Sequence, residues 1–111
     1  MEPDGGDLTT AEWHDAGPAD AVAEEATVGV LVAGLPIALF RLDGEVFALH
    51  DLCTHGHARL SEGYVEDGCV ECPLHQGLVD IRTGAPRTAP VSVAVRSYPA
   101  RVVDGRVQVE V

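Results

Sequence analysis

Apolar residues in this chain fall in short runs broken by turn signals, with almost no helical periodicity. Thr27 to Val32 and Pro36 to Leu42 are rich in Val, Ile, Leu and Phe, and Gly34 turns the chain between them. Asp43-Gly44 is a strong hairpin signal and Glu45 to His50 reads as the returning strand, which makes a three-strand meander. Tyr64-Val65 and Cys69 to Glu71 flank Asp67-Gly68 as a second, smaller hairpin. Leu78 to Ile81 follows, Thr83-Gly84 turns the chain, and Ala85 to Val91, with Pro86 and Pro90, reads as a loop. Val93 to Tyr98, Ala100 to Val103 and Arg106 to Val111 complete the pattern around a last turn at Asp104-Gly105. Pro18 to Ala26 reads as a helical turn or a loop, and Trp13 as the residue that packs the first strand onto the body. The pattern predicts an all-β fold, an antiparallel sandwich or barrel. Residues 1–10 read as a flexible tail and 11–111 as one domain, with no internal repeat and no linker.

Composition narrows the classes. A chain of 111 residues supports one domain with a modest core. Apolar residues make up 46% of it, yet no run approaches the ~18 that a membrane span needs. The acidic, polar start does not resemble a signal peptide, so a soluble, cytoplasmic protein is expected. The net charge is −11, with seven arginines and no lysine. That balance argues against nucleic acid or an anionic membrane as partner and for a basic docking surface on another protein; solubility alone would also account for it.

The chemistry concentrates between Cys53 and His75. Cys53-Thr54-His55 and Cys72-Pro73-Leu74-His75 each offer one thiolate and one imidazole. Four such ligands in two short loops predict a metal site. The mixture of types within each loop suits a [2Fe–2S] cluster in which two histidines replace two cysteines on one iron. A structural zinc site is the competing reading, but zinc fingers usually group Cys with Cys and His with His. With Cys53 and Cys72 as ligands only Cys69 is left over, so no internal disulfide is possible, which fits a reducing compartment. Two ferric ions, two sulfides, two thiolates and two neutral imidazoles sum to zero charge, so adding an electron costs less than at a four-thiolate site.

The segments Cys53-Thr54-His55-Gly56-His57-Ala58-Arg59-Leu60-Ser61-Glu62-Gly63-Tyr64 and Glu71-Cys72-Pro73-Leu74-His75-Gln76-Gly77 resemble those of the small Rieske ferredoxins of bacterial aromatic-ring-hydroxylating dioxygenase systems. The likeness runs from about Trp13 to the end and is most specific between Asp51 and Gly84. It implies a Rieske fold, in which a small cluster-binding subdomain of about 51–84 carries the two ligand loops. It also implies one [2Fe–2S] cluster per chain, with Cys53 and Cys72 on one iron and His55 and His75 on the outer, solvent-facing one. High-potential relatives add a disulfide between the loops and a serine hydroxyl donated to a cluster sulfide. Here Leu74 and Gly77 stand at those positions, which predicts a potential at the low end of the family range.

Neighbouring residues carry weaker signals. His57, Gln76, Gly77 and Pro90 are candidates for the cluster surround or a docking rim. His57 reads more readily as a solvated loop histidine and Gly77 as a close backbone approach, while Pro90 reads either as a shield or as a loop former. His50 and Cys69 read as packed side chains and Asp80 as structural. Val79 stands where the family usually has an aromatic residue. With no nucleophile–base pair or phosphate loop in view, the resemblance implies a carrier and not an enzyme. By that resemblance it is expected to take electrons from an NAD(P)H-dependent flavoprotein reductase and deliver them singly to a terminal oxygenase with its own Rieske centre, in aromatic hydrocarbon catabolism. A monomer is expected. The alternatives are a Rieske subunit of a stable oxidase or reductase complex, and a zinc-binding interaction module.

Overall fold

A computed structural model describes residues 11–52, 58–73, 77–88 and 93–111. Among them lie ten strands. They are β1 (Trp13–Pro18), β2 (Thr27–Val32), β3 (Leu35–Leu42), β4 (Glu45–His50), β5 (Tyr64–Glu66), β6 (Cys69–Glu71), β7 (Leu78–Asp80), β8 (Ser97–Tyr98), β9 (Ala100–Val103) and β10 (Arg106–Glu110). Single 3₁₀ turns cover Ala19–Ala21 and Leu60–Glu62. The strands form three antiparallel sheets in the orders β1-β10-β9, β2-β3-β4-β8 and β5-β6-β7. The fold is all-β, as the hydrophobic pattern predicts, and the meander and small hairpin fall where the turn signals place them.

The centre of the middle sheet is buried on both faces, which is why β3 reads as a nearly unbroken apolar run. Side chains alternate across a strand. On β3, Ile37 and Leu39 enter one core with Val32, Val107 and Val109, while Ala38, Phe40 and Leu42 enter a second with Leu60, Val70, Val79 and Ile81. Strand β4 divides likewise, with Val46 and Ala48 in the first core and Leu49 in the second. Each fully buried side chain of this size contributes about 2 kcal/mol through area removed from water. The middle sheet thus carries the β1-β10-β9 sheet on one face and the small β5-β6-β7 sheet on the other.

Hairpin chemistry sets the registers. Ala33-Gly34, Asp43-Gly44, Asp67-Gly68 and Asp104-Gly105 all hold both central residues at positive φ, the turn whose twist matches that of its strands. Ala33, at φ 51°, occupies the position that Asp fills in the other three. Arg41 ties the 3₁₀ turn to the middle sheet, its Nη2 donating to the Ala19 carbonyl at 2.7 Å and its Nε to Val22 O at 2.6 Å.

Two strand expectations shift. Residues 93–96 are not strand, and β8 has only two residues. There the chain is tied instead by isolated bonds, from Val95 N–H to Gly84 O and from His50 N–H to Arg96 O, both 2.8 Å. Trp13 is 36% exposed beneath the Arg101 guanidinium, 3.9 Å from its ring centroid, and Ala16 is the buried residue of β1. Among the described residues no helix is long and apolar enough to cross a membrane.

Candidate metal centre

Residues 53–57 and 74–76 lie outside the described residues, and the chain on either side of each is closed at a neck. The first neck joins the segment after β4 to the 3₁₀ turn at Leu60–Glu62. Leu52 and Arg59 form an antiparallel bridge, and Leu60 N–H donates to Asp51 O at 2.6 Å. The Asp51 side chain completes the closure: Oδ1 accepts the Ser61 N–H and Oδ2 the Ser61 hydroxyl, each at 2.7 Å. Asp51 is 1% exposed, so these bonds offset the cost of burying its carboxylate. Arg59 lies 3.5 Å away but is half exposed, and an ion pair screened in that way contributes little.

The second neck is a hairpin between β6 and β7. Cys69 pairs with Asp80, Val70 with Val79 and Glu71 with Leu78. One step beyond the ladder, Cys72 N–H donates to Gly77 O at 2.9 Å and closes the loop. Leu78 N–H donates to Thr88 Oγ1 at 2.9 Å, and Asp80 caps the next turn by accepting from Arg82 N–H at 2.9 Å and Thr83 N–H at 3.1 Å. The structural reading of Asp80 therefore holds. Val79 is fully buried in the second core, where an aromatic residue was the family expectation.

The necks touch. A methyl group at Gly63 would overlap the Glu71 carbonyl oxygen, so the chain leaving the first neck runs directly against the residue preceding Cys72. Ala58, last residue of the first loop, packs on the same core that contains Cys72. Both loops are thus rooted over one apolar floor.

Of the sequence-predicted site residues, Cys72 and Gly77 lie among the described residues; Cys53, His55, His57, His75, Gln76 and Pro90 lie outside them. No group of three metal-ligating side chains occurs among the described residues, since three of the four expected ligands fall outside. Cys72 is a free, fully buried thiol at the root of its loop. Cys69 is also free and buried, but it faces Arg87, whose Nη1 lies 3.8 Å from its sulfur. Burial pushes its thiol pKa up against the pull of that guanidinium, so Cys69 stays a neutral core residue. A groove of about 650 Å³ between Gly44–Ala48 and Ser97–Val102 includes none of the neck residues. The free buried thiol and the two touching necks fit a group bridged by two loops.

Sequence reasoning missed Asp51, Ser61, Gly63 and Thr88 as the residues that shape the necks. The clearest signal, an aspartate two positions before Cys53, carries no period or spacing rule.

The Rieske [2Fe-2S] domain model matches residues 12–99. The chain is 61% identical, over 95% of its length and 97% of the relative's, to the anthranilate 1,2-dioxygenase ferredoxin subunit of Burkholderia cepacia. Among solved structures it is similar to the Sphingomonas yanoikuyae B1 ferredoxin, with a TM-score of 0.84 and 34% identity over 89% of this chain and 98% of the other. It is also similar to a chain of the complex of reduced oxygenase and oxidised ferredoxin in carbazole 1,9a-dioxygenase, with a TM-score of 0.82 and 32% identity over 88% and 92%. This chain belongs to the Rieske [2Fe–2S] domain family, and its cofactor is a single [2Fe–2S] cluster.

Proposed function

We propose that this protein is the one-electron carrier of an aromatic-ring dioxygenase system, passing electrons from an NAD(P)H-dependent flavoprotein reductase to a terminal oxygenase. The observation that carries this reading is the near full-length likeness to a dioxygenase ferredoxin subunit. The neighbour from the oxygenase–ferredoxin complex supports the acceptor side. Cys53 and Cys72 would hold one iron and His55 and His75 the other, within a subdomain of about 51–84. When bound, the cluster takes up and gives back one electron.

The chain's own residues do the positioning. Cys72 presents its thiol from a fully buried root, away from water, while Asp51 and Ser61 close the opposite loop. Two rigid necks on β scaffolds limit the rearrangement that accompanies a change of charge. The −11 net charge steers encounter with a basic partner surface, and a small transient contact lets the carrier leave. A cytoplasmic location suits such a carrier.

Electron transfer measured by stopped flow, first from the reductase and then to the oxygenase, tests the reading. Both second-order rates are expected to fall as salt screens the acidic surface. A rate indifferent to salt would remove steering from the account. A protein that co-purifies with one catalytic partner and does not exchange would point to a subunit of a stable complex.

A further inference from the structure

We infer that Asp51, Ser61 and Gly29 form a clamp whose task is to hold the first ligand loop in the geometry the cluster needs. This rests on the assignment of Cys53 and His55 as ligands.

Six residues, 53 to 58, separate Leu52 from Arg59, and among the described residues no ladder backs that bridge. Besides the bond from Leu60 N–H to Asp51 O, the neck depends on a single buried carboxylate that takes two hydrogen bonds from one residue, Ser61, through its main-chain N–H and its hydroxyl. Fixing both atoms of Ser61 sets its position and its rotation. A carboxylate acceptor makes each bond stronger than a neutral pair would. On the other side Asp51 N–H donates to Pro36 O at 2.9 Å, which anchors the carboxylate's backbone to β3.

Gly29 of β2 completes the device. It sits in a strand interior, where glycine is otherwise unfavourable. A Cβ there would lie 2.7 Å from Ser61 Oγ and 3.0 Å from Asp51 Oδ2. The missing side chain therefore makes room for the pair against the middle sheet, and β2, the residue that follows β4 and the 3₁₀ turn meet at these two oxygens. Asp51, Ser61 and Gly29 are positioning residues, acting through the loop they close.

Ser61→Ala, Asp51→Asn and, as a control in the far core, Val107→Ala would be compared with the wild-type holoprotein. The readouts are reduction potential, the paramagnetic resonance spectrum of the reduced state, and iron loss to a chelator. Both clamp variants are expected to shift potential and spectrum. Each should also release iron at least about tenfold faster, the lower end of what one hydrogen bond to a charged group is worth. Val107→Ala, which opens a cavity beneath β10, should lower thermal stability while leaving potential and spectrum unchanged. Clamp variants that keep the wild-type potential, spectrum and iron-loss rate would overturn the inference. If Asp51→Asn does not fold, Ser61→Ala decides alone. A wild-type protein with no mixed-ligand [2Fe–2S] signal would instead sink the ligand assignment, and the inference with it.

Discussion

The two necks reach one end by different physics. The second is closed by main chain: a three-pair ladder between β6 and β7 runs straight into the bond from Cys72 N–H to Gly77 O. The first has a lone bridge, and a buried carboxylate makes up for the missing ladder. A ladder spreads its closure over several weak bonds that any sequence can make. A carboxylate concentrates closure in two strong bonds that only these side chains make. The first neck should therefore be sensitive to single substitutions and the second tolerant of them.

The contact between the necks is the most exposed point of this arrangement. Gly63→Ala drives a methyl group into the Glu71 carbonyl, where backbone on both sides must move. A loss of about 3 kcal/mol is expected in denaturant unfolding, with cluster content falling in parallel. A loss within error would show that the necks are free to separate. At the other extreme, Thr88→Val removes the hydroxyl that accepts Leu78 N–H beside the second neck. That bond is exposed and water replaces it, so a cost of about 0.5 kcal/mol and an unchanged potential are expected. A Thr88 effect as large as that of Ser61→Ala would erase the contrast between side-chain and main-chain closure.

Much of this was legible in the chain. Asp43-Gly44, Asp67-Gly68 and Asp104-Gly105 name their turns because few residues other than Gly, Asn and Asp tolerate positive φ there. The Cys-x-His and Cys-x-x-His segments point to a [2Fe–2S] cluster through donor chemistry alone, and the family match bears out that cofactor. The clamp was not legible, because it joins residues 29, 51 and 61 through tertiary packing that no local spacing encodes. Nor was the end of β8. Residues 93–96 have strand composition, yet Val95 and Arg96 are tied by single bonds to Gly84 and His50, and among the described residues the segment makes no ladder. An isolated exposed pair such as Asp15 with Arg106 across β1 and β10 also escapes pattern reading. There the guanidinium hydrogen bond holds the carboxyl below its ordinary value.

On the function proposed above, these necks hold a mixed-ligand [2Fe–2S] cluster poised for low-potential electron carriage. An anaerobic redox titration of the purified protein, followed by electron paramagnetic resonance, tests it most directly. The expected result is a mixed-ligand signal with a midpoint near or below roughly −100 mV. A midpoint at high positive potential would contradict the carrier reading, and zinc with no paramagnetic signal would contradict the redox site altogether.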